Sequence, residues 1–193
     1  CDLNNYNSVK NLIEKSKKKF GSLSLLINNA SKFENDNIAK LNIDSWDSHN
    51  NINLKAPLFL SKDFSKQMKK NAPGLIINII DQRIFFPNPE FISYTSSKQS
   101  LMWLTQTLAQ ALSPQVRVCA IGPGPTLQGA RQSKKDFENQ SLSTPLMVGS
   151  NPEEIYQAVK FIIDIPSFTG QMITLDGGEH LDWIKKENKN FKD

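Results

Sequence analysis

Two hydrophobic patterns alternate along the chain. Short uninterrupted apolar runs end in turn-forming residues, and longer stretches carry apolar residues three and four positions apart. "LSLLINNA" predicts a strand at 23–28, and "GLIINIID", introduced by Pro73 and Gly74, predicts a second. "VRVCAIGPG" predicts a third, stopped by Gly122, Pro123 and Gly124. "QMITLDGG" predicts a fourth, stopped by Asp176, Gly177 and Gly178. Apolar runs without polar alternation indicate strands covered on both faces.

The helical stretches lie between them. Val9, Leu12, Ile13 and Phe20 place a helix over 7–20, and Trp46, Ile52, Leu54, Phe59 and Leu60 place one over 45–70. Residues 93–112 form a long helix, and "NPEEIYQAVKFIID" opens another with Asn151 as N-cap and Pro152 at its first position. Strands alternating with helices imply right-handed crossovers and a parallel sheet. Residues 127–150 have weak periodicity and many polar positions, so they read as a long loop that can act as a lid over a site. There are no repeats, and residues 1–193 read as one domain with a flexible tail at 184–193.

Composition narrows the function classes. The chain has 193 residues, 38% of them hydrophobic, which suits one domain with a real core. The net charge of +4 comes largely from two basic runs, "EKSKKKF" and "KKENKNFK". A solvated helix face and a frayed terminus account for both, and no aromatics are interleaved to stack nucleobases, so nucleic acid is not an expected partner. Cys1, Cys119, His49 and His180 show no metal-ligand spacing, so no metal is expected. Two cysteines without a disulfide framework fit reduced thiols and a cytoplasmic location. No apolar run reaches the length of a membrane span, so no membrane association is expected. Trp46, Trp103 and Trp183 read as core or subunit-contact residues.

The strand ends carry the chemistry. In open parallel sheets, ligands bind at the carboxyl ends of the strands. Those ends hold Asn28, Asn29, Ala30 and Ser31, then Asp81, then Pro123 and Gly124. The helix after the Asp81 strand carries "SYTSSKQSL", with Tyr94 and Lys98 four apart and so on one face. An ammonium near a phenol favours the phenolate, which would lower the Tyr94 pKa and suit it to proton transfer.

Taken together these segments resemble the short-chain dehydrogenase/reductase family, over nearly the whole chain. "LLINNAS" is similar to the family's N-N-A-G segment, and "NINL" to the helix segment that supplies its catalytic asparagine, here Asn53. "YTSSK" matches its Y-x-x-x-K, "GPGP" resembles the Pro-Gly turn beside the nicotinamide, and "FTGQMITLDGG" matches its C-terminal strand. The resemblance implies a Rossmann-like doubly wound parallel sheet. It makes Tyr94 the proton donor, gives Lys98 to the phenol and the nicotinamide ribose, and has Asn53 hold a water of the proton relay. It places Asn29, Ala30, Ser31, Tyr94, Lys98, Pro123 and Gly124 around NADPH or NADH. It also implies a homodimer or homotetramer, joined through the helices at 45–70 and 93–112.

Two departures from the family pattern point to the substrate. Asp81 stands where most members have a serine, and "NNASKF" puts Ser31 for a glycine with Phe33 following. An aspartate suits a substrate with N–H groups, or shuttles a proton when protonated. An aromatic at 33 can stack a flat heterocycle. Both features resemble pteridine reductases and dihydromonapterin or dihydrofolate reductases of the short-chain type, with Phe33, Asp81 and Tyr94 contacting a pterin. A 3-ketoacyl or other carbonyl reductase is the alternative.

A third departure concerns the start. The family's opening strand, glycine-rich turn and helix bind the cofactor pyrophosphate. No such motif is present, "CDLNN" resembles the segment after the family's third strand, and the first methionine is Met68. The expectation is an N-terminally truncated domain that binds cofactor weakly alone, or a non-catalytic remnant that makes protein contacts. In the family strand order 3-2-1-4-5-6-7, residues 25–28 are strand 4, so its open edge is expected to lack a partner.

Overall fold

The computed structural model describes residues 1–69, 72–129 and 132–181. Trp183 and the tail expected at 184–193 lie outside the described residues.

Four strands form, β1 (Leu25–Asn28), β2 (Gly74–Ile79), β3 (Val116–Pro123) and β4 (Met172–Leu175). They lie side by side in chain order, and every pair is parallel. This is the 4-5-6-7 part of the expected order. β2 pairs with β1 through Leu25↔Leu75 and Asn28↔Asn78, and with β3 through Gly74↔Val116 and Ile79↔Ile121.

The helices are α1 (Tyr6–Val9), α2 (Leu12–Phe20), α3 (Ile43–Asn50), α4 (Ala56–Ser65), α5 (Ile92–Ala111), α6 (Lys134–Leu142) and α7 (Pro152–Asp164). They cover both faces of the sheet. Along β2 and β3 successive side chains point to opposite faces. Ile76 and Val118 pack with Val9, Ile13, Leu60 and Phe64 from α1, α2 and α4, whereas Leu75, Ile77 and Cys119 pack with Ala158 and Ile162 of α7. Both inner strands are therefore buried on two sides, as their apolar runs predict. β1 differs: Ile27 is 40% exposed, because only β2 flanks this strand among the described residues.

Three helical expectations need correction. The stretch at 7–20 is two helices, because Asn11 between them adopts a left-handed conformation at φ 74°. Asparagine tolerates that region better than most residues. The stretch at 45–70 begins earlier, at Ile43, where the Asn42 side chain accepts from Ser45 N–H at 2.9 Å, and it ends at Ser65. Its middle, Asn51–Lys55, is a π-helical turn. The segment 127–150 contains α6, capped by Ser133, whose Oγ accepts from Asp136 N–H at 3.1 Å. None of the α6 residues is buried, so the helix leaves no apolar stripe for periodicity to detect.

Where β3 and β4 end, the chain turns tightly. A Cβ on Gly124 would lie 2.7 Å from Asp176 Cα, so the two strand ends approach more closely than any side chain allows. Gly177, at φ +63°, sits under the Val148 carbonyl, which an added Cβ would strike.

Candidate active site

The carboxyl ends of β1, β2 and β3 bring the chemistry-bearing residues together. Asp81 follows β2 and caps a short 3₁₀ turn, Gln82–Phe85, with Oδ1 accepting from Arg83 N–H at 2.8 Å. Its other oxygen, Oδ2, accepts from the Tyr94 hydroxyl at 2.6 Å. Lys98, one turn further along α5, donates from Nζ to Ile79 O at 2.8 Å and so ties α5 to the end of β2.

The electrostatics of this trio differ from the sequence expectation. Burial, then the adjacent Asp81 charge, holds the Tyr94 hydroxyl well above its ordinary value. Burial also pushes the Asp81 carboxyl up, and pushes the Lys98 ammonium down to about 8. The lysine does not make a ready phenolate of Tyr94. Its ammonium is engaged by the strand carbonyl, and the phenol faces a carboxylate. Tyr94 is held in its protonated form, as a donor.

The Asn53 side chain is fully engaged with its neighbours. Its Oδ1 accepts from Lys32 N–H at 2.8 Å and Ser31 Oγ–H at 3.2 Å. Its Nδ2 donates to Lys32 O at 2.9 Å and to Ser97 Oγ at 3.0 Å. Two acceptor and two donor positions use the full capacity of an amide. Fully buried in the π-helical turn, Asn53 locks the loop after β1 onto α5. Buried His49 assists: Nε2 accepts from Glu34 N–H at 3.2 Å, so Nδ1 carries the hydrogen toward Ser45 O at 2.8 Å.

That locked loop presents Phe33. Its ring meets Tyr94 edge-on with centroids 4.6 Å apart and stacks parallel on Phe91 at 4.7 Å. The Arg83 guanidinium lies over both rings, 5.0 Å from the Phe91 centroid and 5.7 Å from that of Phe33. Phe91 holds a left-handed conformation at φ 59°, unusual for an aromatic residue. Buried Asp36 secures it: its carbonyl accepts from Phe91 N–H at 2.7 Å, and its Oδ1 accepts from Ser93 N–H at 3.1 Å. Asp36 thereby caps the helix that carries Tyr94.

In front of these groups is an open cleft of about 1120 Å³, reaching Ser31, Phe33, Asp81, Gly124 and Glu179. Phe137 and Gln140 of α6 border it, so part of the segment 127–150 lines the cleft. Tyr94 itself is 5% exposed, behind Phe33 and Asp81. Asn29 and Ala30 lie apart from this cleft, in a groove of about 400 Å³ along the outer edge of β1. Among the described residues no His/Cys/Asp/Glu cluster could hold a metal, and no helix is long and apolar enough to cross a membrane.

Sequence reasoning missed Asp36, Arg83, Phe91, Ser97 and Glu179. Ser97, Phe91 and Arg83 carry a weak signal, lying three residues from Tyr94 or two from Asp81. Asp36 carries none, since its partner Ser93 is 57 residues away.

The family described as short chain dehydrogenase matches residues 1–139 of this chain. An uncharacterized oxidoreductase of Thermotoga maritima is 30% identical over 198 residues, covering 96% of this chain and 77% of that protein. The chain belongs to the short-chain dehydrogenase family. As a short-chain dehydrogenase it is an oxidoreductase dependent on a nicotinamide cofactor. The 3-oxoacyl-[acyl-carrier-protein] reductase FabG of Thermotoga maritima is also 30% identical, over 88% of this chain and 71% of its own. Among solved structures, FolM alternative dihydrofolate reductase 1 from Brucella canis, complexed with NADP, is 42% identical with a TM-score of 0.92, covering 98% of this chain and 75% of that one. The Brucella suis protein of the same description, also with NADP, is 44% identical with a TM-score of 0.91, over 95% and 73%.

The chain's own residues fit the nicotinamide end of such a cofactor. Lys98 is only 2% exposed, yet its ammonium has one acceptor, Ile79 O, among the described residues. Two of its three N–H groups would be left to donate to hydroxyls such as those of a ribose.

Proposed function

We propose that this short-chain dehydrogenase reduces a pterin or dihydropterin with NADPH or NADH. The observation that carries the reading is the short Tyr94–Asp81 hydrogen bond directly beside the Phe33 ring. A proton-donating pair next to an aromatic platform suits a flat ring with a C=N bond. Likeness to two FolM structures described as alternative dihydrofolate reductases supports it.

The cofactor, when bound, supplies the hydride. Lys98 and Tyr94 are the groups that would hold its nicotinamide riboside, with Asn29, Ala30, Ser31, Pro123 and Gly124 around it. Phe33 would lie against the substrate ring and fix its height over the site. The Tyr94 hydroxyl gives its proton to the ring nitrogen next to the carbon that accepts hydride. One hydride and one proton convert C=N to CH–NH. Asp81 borders the cleft and is held up by burial, so it can take a proton from solvent and return it to Tyr94. In the serine-bearing family pattern a hydroxyl occupies this place, and it neither stores a proton at neutral pH nor accepts from ring N–H groups as a carboxylate does.

Identity to FabG favours a second reading, reduction of a 3-oxoacyl thioester. Steady-state reduction of dihydrobiopterin or dihydromonapterin by the full-length enzyme tests the choice, with acetoacetyl thioester as comparison. Higher kcat/KM for the dihydropterin supports the proposal, and higher kcat/KM for the thioester overturns it.

A further inference from the structure

The Arg83 charge favours the ionised forms of Asp81 and Tyr94, and its surroundings indicate a further task. Its backbone N–H is fixed by Asp81 Oδ1 at 2.8 Å, which sets the residue at the lip of the cleft. The guanidinium lies over Phe91 and Phe33, the aromatic pair beside the proton-donating phenol. Among the described residues no carboxylate lies within 4.0 Å of its nitrogens, and no hydrogen bond from its side chain is formed. Asp81 instead spends both oxygens on Tyr94 and on the Arg83 backbone. Glu179, also lining the cleft, is held up by burial, with one oxygen buried and unbonded among the described residues.

A guanidinium lying over aromatic rings keeps its N–H edge available. That planar edge matches a carboxylate through two parallel hydrogen bonds. Its position matters too. Arg83 flanks Phe33 at 5.7 Å from the ring centre, so it would reach a substituent extending beyond a ring stacked there.

We propose that Arg83 is a specificity-determining residue that selects ring substrates bearing a carboxylate on their side chain, a folate-type substrate over a pterin without an acidic tail. The inference rests on the pterin reading. In it Asp81 and Tyr94 serve the ring, and Arg83 serves the tail.

The test compares dihydrofolate with dihydrobiopterin as substrates of the full-length enzyme in wild type, Arg83→Met and Arg83→Lys. Dissociation constants for folate and biopterin, by fluorescence quenching, are measured alongside. Arg83→Met should lower kcat/KM for dihydrofolate about tenfold or more, chiefly through KM, and leave dihydrobiopterin within about twofold. The folate dissociation constant should rise in the same proportion, and Arg83→Lys should fall between. Equal losses for both substrates would show that Arg83 only braces the phenylalanine pair, and would overturn the inference. Unchanged values for both would overturn it as well. If wild type reduces neither ring substrate but does reduce the thioester, the pterin reading itself fails and takes this inference with it.

Discussion

The Tyr94 hydroxyl donates to Asp81 Oδ2 across 2.6 Å, while Asp81 Oδ1 is bound by Arg83 N–H. One carboxylate thus orients the phenol and shapes the turn that lines the cleft. Burial of the Tyr94 side of this pair, with Tyr94 only 5% exposed, strengthens the hydrogen bond.

Tyr94→Phe removes the donor and little else, since the ring keeps its edge contact with Phe33. Reductase activity should fall on the order of 100-fold or more, with the circular dichroism spectrum unchanged. Near wild-type turnover in the folded variant would make the tyrosine structural.

Lys98 links folding to pH. Its pKa is about 8 in the folded chain against an ordinary value of 10.5, with burial the main cause. Below pH 8 both states carry the proton and the penalty of burying the charge is constant. Between 8 and 10.5 the unfolded chain holds more protons than the folded one, so this residue's contribution to stability rises with pH. Lys98→Met lacks that dependence. The stability of the variant relative to wild type should therefore be highest at neutral pH and fall as pH rises toward 9.5. Urea unfolding of both proteins at the two pH values measures it, and a constant difference would contradict the burial of a charged lysine.

The Asn53 amide joins the loop after β1 to α5. Asn53→Ala strips two hydrogen bonds from each side of the amide and leaves buried partners unpaired. Stability should drop by about 1–3 kcal/mol. KM for the ring substrate should rise more than kcat falls, because the Phe33 loop is what loosens. A loss confined to kcat would assign Asn53 to the proton path instead.

Asp36→Ala tests the brace at the start of α5. It removes the acceptor for Ser93 N–H, at a cost of about 1–2 kcal/mol, as for other helix caps. Thermal unfolding should show the loss, and hydrogen exchange should show faster opening in the first turn of α5. Unaltered exchange there would mean that the first turn of α5 does not depend on the Asp36 carboxylate.

Much of this molecule can be read from its sequence, and what cannot has physical causes. β2 and β3 announce themselves because both faces are buried, which leaves continuous apolar runs. Asp81, Tyr94 and Phe33 stand out as residue types at motif positions. The π-helical turn at Asn51–Lys55 is invisible to a 3.6-residue period, because a single wide turn shifts the register without changing residue types. α6 is hidden because none of its residues is fully buried, so it carries no apolar stripe. The rise of the Tyr94 pKa is not legible, because spacing shows that two groups share a helix face, not which acceptor each one finds. Ile79 O and Asp81 take them separately. Arg83 and Phe91 come together with Phe33 only through three loops folding onto one another.

Asp81 is where this account departs most from the serine-bearing pattern, and Asp81→Ser tests it most directly. The measurement is the ratio of kcat/KM for dihydrobiopterin to that for an acetoacetyl thioester, in wild type and in Asp81→Ser. Wild type should favour the dihydropterin, and the substitution should lower the ratio by about tenfold or more, as expected when a charged acceptor for ring N–H groups becomes a hydroxyl. A wild-type preference for the thioester, or a ratio that Asp81→Ser leaves unchanged, would contradict the account.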